Sequence, residues 1–215
     1  MDFSPALWSF KVAIRNVIFD LGGVLIDWNP RYVYKSVFND EEKLDYFLNN
    51  VCTGEWNSQM DRGRTFDECI KELQAQHPEF KDEIALWKTR WTEMLAGTIT
   101  QGIELFNAVK KSGKYTMYAL TNWSAETFPY AYKHFPFLND FEGIVVSGEE
   151  KMTKPDKGIF LTLFERYHLT PEECLYIDDN EKNLETGRSR GMVTISFADP
   201  EEGYKKALKR LNLKN

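Results

Sequence analysis

The stretch Ile14-Arg15-Asn16-Val17-Ile18-Phe19-Asp20-Leu21-Gly22-Gly23-Val24-Leu25 contains a short apolar run, rich in β-branched and aromatic residues, that stops at a carboxylate followed by a glycine pair. Asn16 to Phe19 therefore predicts a buried strand, and the residues after it a tight loop. Asp20 falls where the strand runs out. In open α/β sheets ligands bind outside the carboxyl ends of the strands, in the crevice that loops and helices leave there. Asp20 is thus a candidate site residue, with a purely local role in capping the next turn as the plain alternative.

Downstream of Thr100 the chain repeats this grammar. Gln101 to Ser112 reads as a helix, Tyr115 to Leu120 as a strand ending at Thr121-Asn122, and Ala125 to His134 as a helix. Gly143 to Ser147 is the next strand and Asp156 to His168 the next helix. Cys174 to Ile177 is a strand ending at Asp178-Asp179, followed by a helix from Asn183 to Arg190 closed by Gly191, and by a last strand from Met192 to Phe197. The tail from Glu201 is helical, with acids early and bases late, as the helix dipole favours. Strands alternating with helices predict an α/β fold with a Rossmann-like, doubly wound parallel sheet and right-handed crossovers.

Between the first strand and this region lies a block of different character. Asn29 is placed to cap a helix whose first residue is Pro30. Arg31 to Phe38, Glu41 to Asn50, Thr65 to Gln76 and Glu79 to Leu95 read as helices, and no strand signal interrupts them. Thr65 with Glu68 forms a capping-box pattern, and Phe80, Ile84, Trp87, Trp91, Met94 and Leu95 mark one apolar face. The expected organisation is a core built from residues 1–28 and 96–215, with an all-helical insertion at 29–95. Trp8 and Phe10, in the first 13 residues, are expected on the surface of the core.

A chain of 215 residues is long enough for one sizeable core plus an insertion. At 42% hydrophobic and 28% charged residues it has an ordinary globular composition. No apolar run approaches the ~20 residues that span a bilayer, and Met1-Asp2-Phe3-Ser4-Pro5 lacks the basic start and apolar core of a signal peptide. No membrane association and a cytoplasmic location are expected. Cys52, Cys69 and Cys174 are odd in number and lack metal-ligand spacing, which fits packed, reduced thiols. A net charge of -6 argues against a nucleic-acid partner. The oligomeric expectation is a monomer or weak homodimer.

The chemistry gathers at strand ends. Asp20, Thr121-Asn122 and Asp178-Asp179 each terminate a predicted strand, and parallel strands bring their C-terminal ends to one edge. Carboxylates brought together there repel by about 4 kcal/mol per pair at 4 Å and an effective dielectric near 20. They either shift their pKa values or hold a cation. An all-oxygen cluster without His or Cys suits a hard ion, Mg²⁺ above all. Lys154, in a loop before a helix opened by Pro155 and Asp156, is a candidate to balance the charge, its plain alternative being a solvated loop lysine.

Taken together, Asp20 with Leu21-Gly22-Gly23-Val24-Leu25, then Thr121-Asn122, Lys154-Pro155 and Asp178-Asp179, resemble motifs I to IV of the haloacid dehalogenase superfamily, in order and at matching strand ends. The resemblance runs from about Ile14 to the end and is closest to the phosphatase branch. That branch includes bacterial sugar-phosphate phosphatases and the N-terminal phosphatase domain of soluble epoxide hydrolase. It implies that the helical block is a cap subdomain inserted between motifs I and II. It implies that Asp20 attacks phosphorus to form an aspartyl-phosphate, and that Mg²⁺ is held by Asp20, the Gly22 carbonyl and Asp179, with Asp178 reaching it through water. Thr121 and the amide of Asn122 would bind the transferring phosphoryl group, and Lys154 would offset its charge. The implied substrate is a small phosphorylated metabolite.

One position departs from the pattern. Most phosphatases of the superfamily carry a second Asp two residues after the nucleophile, where this chain has Gly22. A glycine cannot transfer a proton, and such help is typically worth 10²- to 10⁴-fold. Asp27 and Asp61 are substitutes to weigh, Asp27 against a helix-capping role. His77, His134 and His168 lie outside the motifs. In the insertion, Glu55-Trp56 and Arg62-Gly63-Arg64 read as a loop facing the core, with Arg62 a candidate for the anionic substrate; the bland reading is solvated arginines and a packed Trp56. Trp28 and Trp123 flank motifs I and II and either narrow the pocket or simply pack. The rival activity is a 2-haloacid dehalogenase using Asp20 on carbon, against which the Asp178-Asp179 pair argues. A catalytically weak binding or scaffold protein is the other alternative.

Overall fold

The computed structural model describes residues 12–214; Trp8 and Phe10, and the surface position expected for them, lie outside the described residues. Five parallel strands form the central sheet: β1 (Asn16–Phe19), β4 (Thr116–Thr121), β5 (Gly143–Val146), β6 (Cys174–Asp178) and β7 (Val193–Ser196). Their order is β5-β4-β1-β6-β7. A short antiparallel pair, β2 (Ile26–Trp28) and β3 (Leu95–Thr98), stands apart from them. β1 is central, with Phe19 in register with Ala119 of β4 and Ile177 of β6. Asp20 therefore leaves the sheet between two neighbouring strands that are also about to end.

Alternation across the pleat explains why β1 is apolar throughout. Val17 and Phe19 pack into one buried cluster with Phe106 and Phe141, while Ile18 packs into another with Phe160 and Tyr176. Both faces are covered, as parallel sheets require. The predicted α/β doubly wound class is the observed one.

Residues 31–94 contain no strand. The helix Phe66–Gln76 is opened by a complete capping box, Thr65 accepting from Glu68 N and Glu68 returning to the Thr65 amide. Other boundaries differ from the sequence reading. The run expected from Arg31 to Phe38 is a helix only over Arg31–Tyr34, with the Asn29 side chain accepting the Arg31 amide at 2.9 Å. Glu41–Tyr46 continues as a wider π turn, Phe47–Val51. Glu79 to Leu95 is broken into 3₁₀ turns flanking the helix Lys81–Thr89, so the apolar face is shared among three short pieces. The chain enters and leaves this block through β2 and β3, which sequence patterning missed. Strands of three and four residues, one of them containing Gly97, are too short to display an alternating period. Asp27 lies in β2 and accepts the Tyr32 hydroxyl at 2.8 Å, so the helix-capping role considered for it falls to Asn29.

The stretch expected as an insertion loop is also different. Gly54–Asp61 is a helix, capped by Thr53, which accepts the Trp56 amide at 3.1 Å. Only Arg62 and Gly63 remain as its exit turn, Gly63 with φ of +89°. Trp56 is buried, its indole donating to the Cys69 carbonyl at 3.3 Å, as the packing alternative held. All three cysteines are free and buried.

Candidate active site

Two strands and one loop converge on Asp20. Its carboxylate is buried at the end of β1, Oδ1 accepting the Leu21 amide at 2.7 Å. Lys154 Nζ lies 2.8 Å from Asp20 Oδ2 and 2.7 Å from Asp178 Oδ2, and the lysine side chain is itself buried. The solvated-loop alternative for Lys154 is excluded. The Asn122 side chain fixes the loop that delivers it: Asn122 Nδ2 donates to the Lys154 carbonyl at 3.0 Å, and the Lys154 amide donates to Asn122 Oδ1 at 2.8 Å.

Asp178 is the most heavily bonded acid. Besides Lys154 it accepts the Asn180 amide at 2.8 Å, Asn183 Nδ2 at 3.0 and 3.1 Å, and the Tyr176 hydroxyl. Burial pushes this carboxyl up, but Lys154 and the other donors outweigh it and hold Asp178 below the usual carboxylate range. Asp20 goes the other way: burial raises it well above that range, Lys154 pulls it back, and Asp178 and Asp179 raise it again. Asp179 is more exposed and also raised, first by burial and then by Asp178. One carboxylate oxygen from each of Asp20, Asp178 and Asp179 can lie within 4.8 Å of the others. Three carboxylates at that spacing, with one ammonium among them, form a site short of positive charge.

The loop after β1 shapes the approach to these acids. Gly23 has φ of +74°, and a Cβ there would sit 2.5 Å from Asp179 Oδ2. Gly22 has no such constraint, since a Cβ added to it meets nothing within 4 Å. Thr121, at the end of β4, is buried and its hydroxyl has no hydrogen-bond partner among the described residues. A buried hydroxyl without a partner costs about 1–3 kcal/mol and marks a place for a ligand or water.

A cavity of about 90 Å³ lies between this edge and the helical block, bounded by Gly22 and Asn122 below and by Trp28, Asp61, Trp91 and Trp123 among its walls. Trp28 and Trp123 both line this cavity and also pack, Trp28 against Trp87 and Trp123 against Trp91 and Phe128. Asp61 ends the helix Gly54–Asp61, and burial pushes its carboxyl up to about 7, against the opposing pull of Arg62. Arg62 is exposed and is not on the described cavity wall; its Nε donates to Thr153 Oγ1 at 3.0 Å, tying the helical block to the Lys154 loop. His134 stacks on Tyr130 and His77 faces Glu79.

Sequence reading passed over Tyr176, Asn183 and Ser147. Tyr176 stands two residues before Asp178 on the same face of β6, a polar tip in a buried strand. Asn183 is a buried amide in an amphipathic helix, five residues after Asp178. Ser147, just after β5, carries no pattern that separates it from an ordinary strand-end serine.

A family model described as haloacid dehalogenase-like hydrolase matches residues 14–191. The chain is 28% identical to a sesquiterpene phosphatase of Aspergillus oryzae, over 89% of this chain and 91% of that one. It is 23% identical to a D-ribitol-5-phosphate phosphatase of Bacteroides thetaiotaomicron, over 88% and 93%. Its fold is similar to a HAD family enzyme from Bacteroides thetaiotaomicron solved with magnesium and inorganic phosphate, at a TM-score of 0.62 and 27% identity, covering 86% of this chain and 94% of that one.

Proposed function

The chain belongs to the haloacid dehalogenase-like hydrolase family, and from that membership we propose that it is a Mg²⁺-dependent phosphoric monoester hydrolase that acts on a small phosphorylated metabolite through Asp20. The observation that carries the reading is the trio Asp20, Asp178 and Asp179 around the buried Lys154 ammonium, at the C-terminal edge of a parallel sheet. The phosphatase relatives and the magnesium and phosphate bound by the structural relative support it.

The donor set fits a magnesium ion: it is all oxygen, compact and short of positive charge. Asp20, Asp179 and the Gly22 carbonyl would hold the metal, with Asp178 behind them through water. Bound there, Mg²⁺ supplies positive charge against the phosphoryl oxygens. The other roles belong to the chain. One Asp20 oxygen attacks phosphorus as the bond to the leaving oxygen breaks, giving an aspartyl-phosphate; water then attacks phosphorus and returns the free carboxylate and inorganic phosphate. The unpartnered Thr121 hydroxyl and the Asn122 amide hold the transferring group, and Lys154 offsets the charge on Asp20 and phosphate.

The helical block, residues 29–95, is proposed as a cap over this edge. A cavity of about 90 Å³ is well below the ~300–1,000 Å³ of ordinary ligand pockets, which supports opening of the cap before substrate enters. For Arg62 to meet the substrate, its guanidinium would have to leave Thr153. The reading is tested by phosphate release from a panel of phosphate esters in Mg²⁺ and in EDTA. Release in Mg²⁺ that EDTA abolishes supports it; no release from any ester overturns it.

A further inference from the structure

Gly22 leaves the proposed hydrolase without the side chain that would pass a proton to the departing oxygen, and the cavity that Gly22 lines has a carboxyl on its wall. Of the described side chains on the cavity wall, which is otherwise glycine, aromatic, amide and hydroxyl, Asp61 is the one that ionises. The helix Gly54–Asp61 ends there, so the helical block brings this carboxyl to the same cavity that Gly22 lines.

Asp61 is fixed through both its backbone and its side chain. Its carbonyl accepts Ser147 Oγ at 2.6 Å, and the same Ser147 oxygen accepts the Trp123 amide at 2.9 Å, so the residue is tied to the loop that follows Asn122. Its carboxylate Oδ2 accepts Asn57 Nδ2 at 3.0 Å, and Asn57 Oδ1 accepts the Trp87 indole at 3.2 Å. With Oδ2 held, Oδ1 is the atom through which a proton can reach a ligand. Burial disfavours the ionised form and pushes the Asp61 carboxyl up to about 7, against the pull of Arg62, a range in which a carboxyl can serve as both donor and acceptor.

Resting on the phosphatase reading, we propose that Asp61 is the general acid and base of the reaction, in place of the acid that Gly22 lacks. In the first step the Asp61 carboxyl gives its proton to the leaving oxygen as the phosphorus–oxygen bond breaks and the Asp20–phosphorus bond forms, releasing the alcohol. In the second step the Asp61 carboxylate takes a proton from the water that attacks phosphorus, as the Asp20–phosphorus bond breaks and inorganic phosphate forms. Asp61 ends protonated and Asp20 ends as the carboxylate, so the cycle closes.

The test compares the wild type with Asp61→Asn on a series of para-substituted phenyl phosphates in Mg²⁺. p-Nitrophenolate leaves without a proton, whereas the more basic phenolates need one. The expected loss in kcat/KM is under about 10-fold for p-nitrophenyl phosphate and rises toward about 10²- to 10⁴-fold for the most basic leaving groups. A loss of equal size across the series, or no loss, overturns the assignment, because a merely structural role does not sense the leaving group. Asparagine can still accept from Asn57, and thermal unfolding checks that the variant is folded. Asp61→Glu, which keeps a carboxyl, is expected to retain more of the wild-type response than Asn does. Adding Gly22→Asp to Asp61→Asn, at a position with open space for the side chain, is expected to flatten the dependence again. If the wild type releases no phosphate from any ester, the phosphatase reading fails and this proposal with it. If it releases phosphate but the leaving-group response of Asp61→Asn is flat, the Asp61 assignment alone fails.

Discussion

Lys154 Nζ stands 2.8 Å from Asp20 Oδ2, with both side chains buried, and reaches Asp178 as well. Removing one partner of a buried charge pair leaves the other uncompensated, which typically costs about 3–5 kcal/mol. Lys154→Met is therefore expected to lower unfolding stability by that order in EDTA. Because the acids then have no ammonium among them, added Mg²⁺ is expected to raise the midpoint of Lys154→Met more than that of the wild type. Urea unfolding with and without Mg²⁺ measures both; equal responses to the metal contradict the account.

The adjacent glycines are expected to behave differently. Gly23→Ala places a Cβ 2.5 Å from Asp179 Oδ2 on a backbone at φ of +74°. Its expected cost is about 1–3 kcal/mol, with weaker Mg²⁺ binding as Asp179 is pushed aside. Gly22→Ala meets nothing within 4 Å and is expected to stay within about 0.5 kcal/mol of the wild type. Chemical denaturation and a Mg²⁺ titration of the two variants separate these cases.

Asp61 also predicts a pH dependence of stability. Its folded carboxyl holds a proton up to about 7, mainly through burial, while the unfolded carboxyl releases it in the ordinary acidic range. Between those limits the folded state binds more protons, so this contribution is complete below the ordinary range and is lost as pH rises through about 7. Asp61→Asn mimics the protonated form. The variant's advantage over the wild type is expected to be small below about pH 4, to grow as pH rises through 5 and 6, and to level off above about 7. A difference that does not grow with pH contradicts the assignment; the other titrating groups are common to both proteins.

Much of the core was legible because the three inner strands, β1, β4 and β6, are buried over nearly their whole length and run out at polar residues. Asp20, Thr121-Asn122 and Asp178-Asp179 could be set on one edge from local pattern plus the geometry of parallel strands. The β2–β3 pair was not legible, since three or four residues cannot show a period and its pairing joins positions about 70 residues apart. The breaks between Phe80 and Leu95 escaped for a related reason: an apolar face at helical spacing survives small 3₁₀ interruptions. Asp61 was legible only as one of two substitutes to weigh for the missing acid, the other being Asp27, and in a presumed loop. Its meaning comes from Asn57, Trp87 and Ser147, contacts of which Ser147 lies 86 residues away.

The central claim is that phosphate passes through the Asp20 carboxylate. The most direct measurement is the mass of the Asp20 peptide after acid quenching during turnover of p-nitrophenyl phosphate with Mg²⁺, in wild type and in Asp20→Asn. The account predicts one added phosphoryl group on that peptide in the wild type, none in Asp20→Asn, and no phosphate release by the variant. Phosphate release that continues in Asp20→Asn, with an unmodified Asp20 peptide in the wild type, would contradict it.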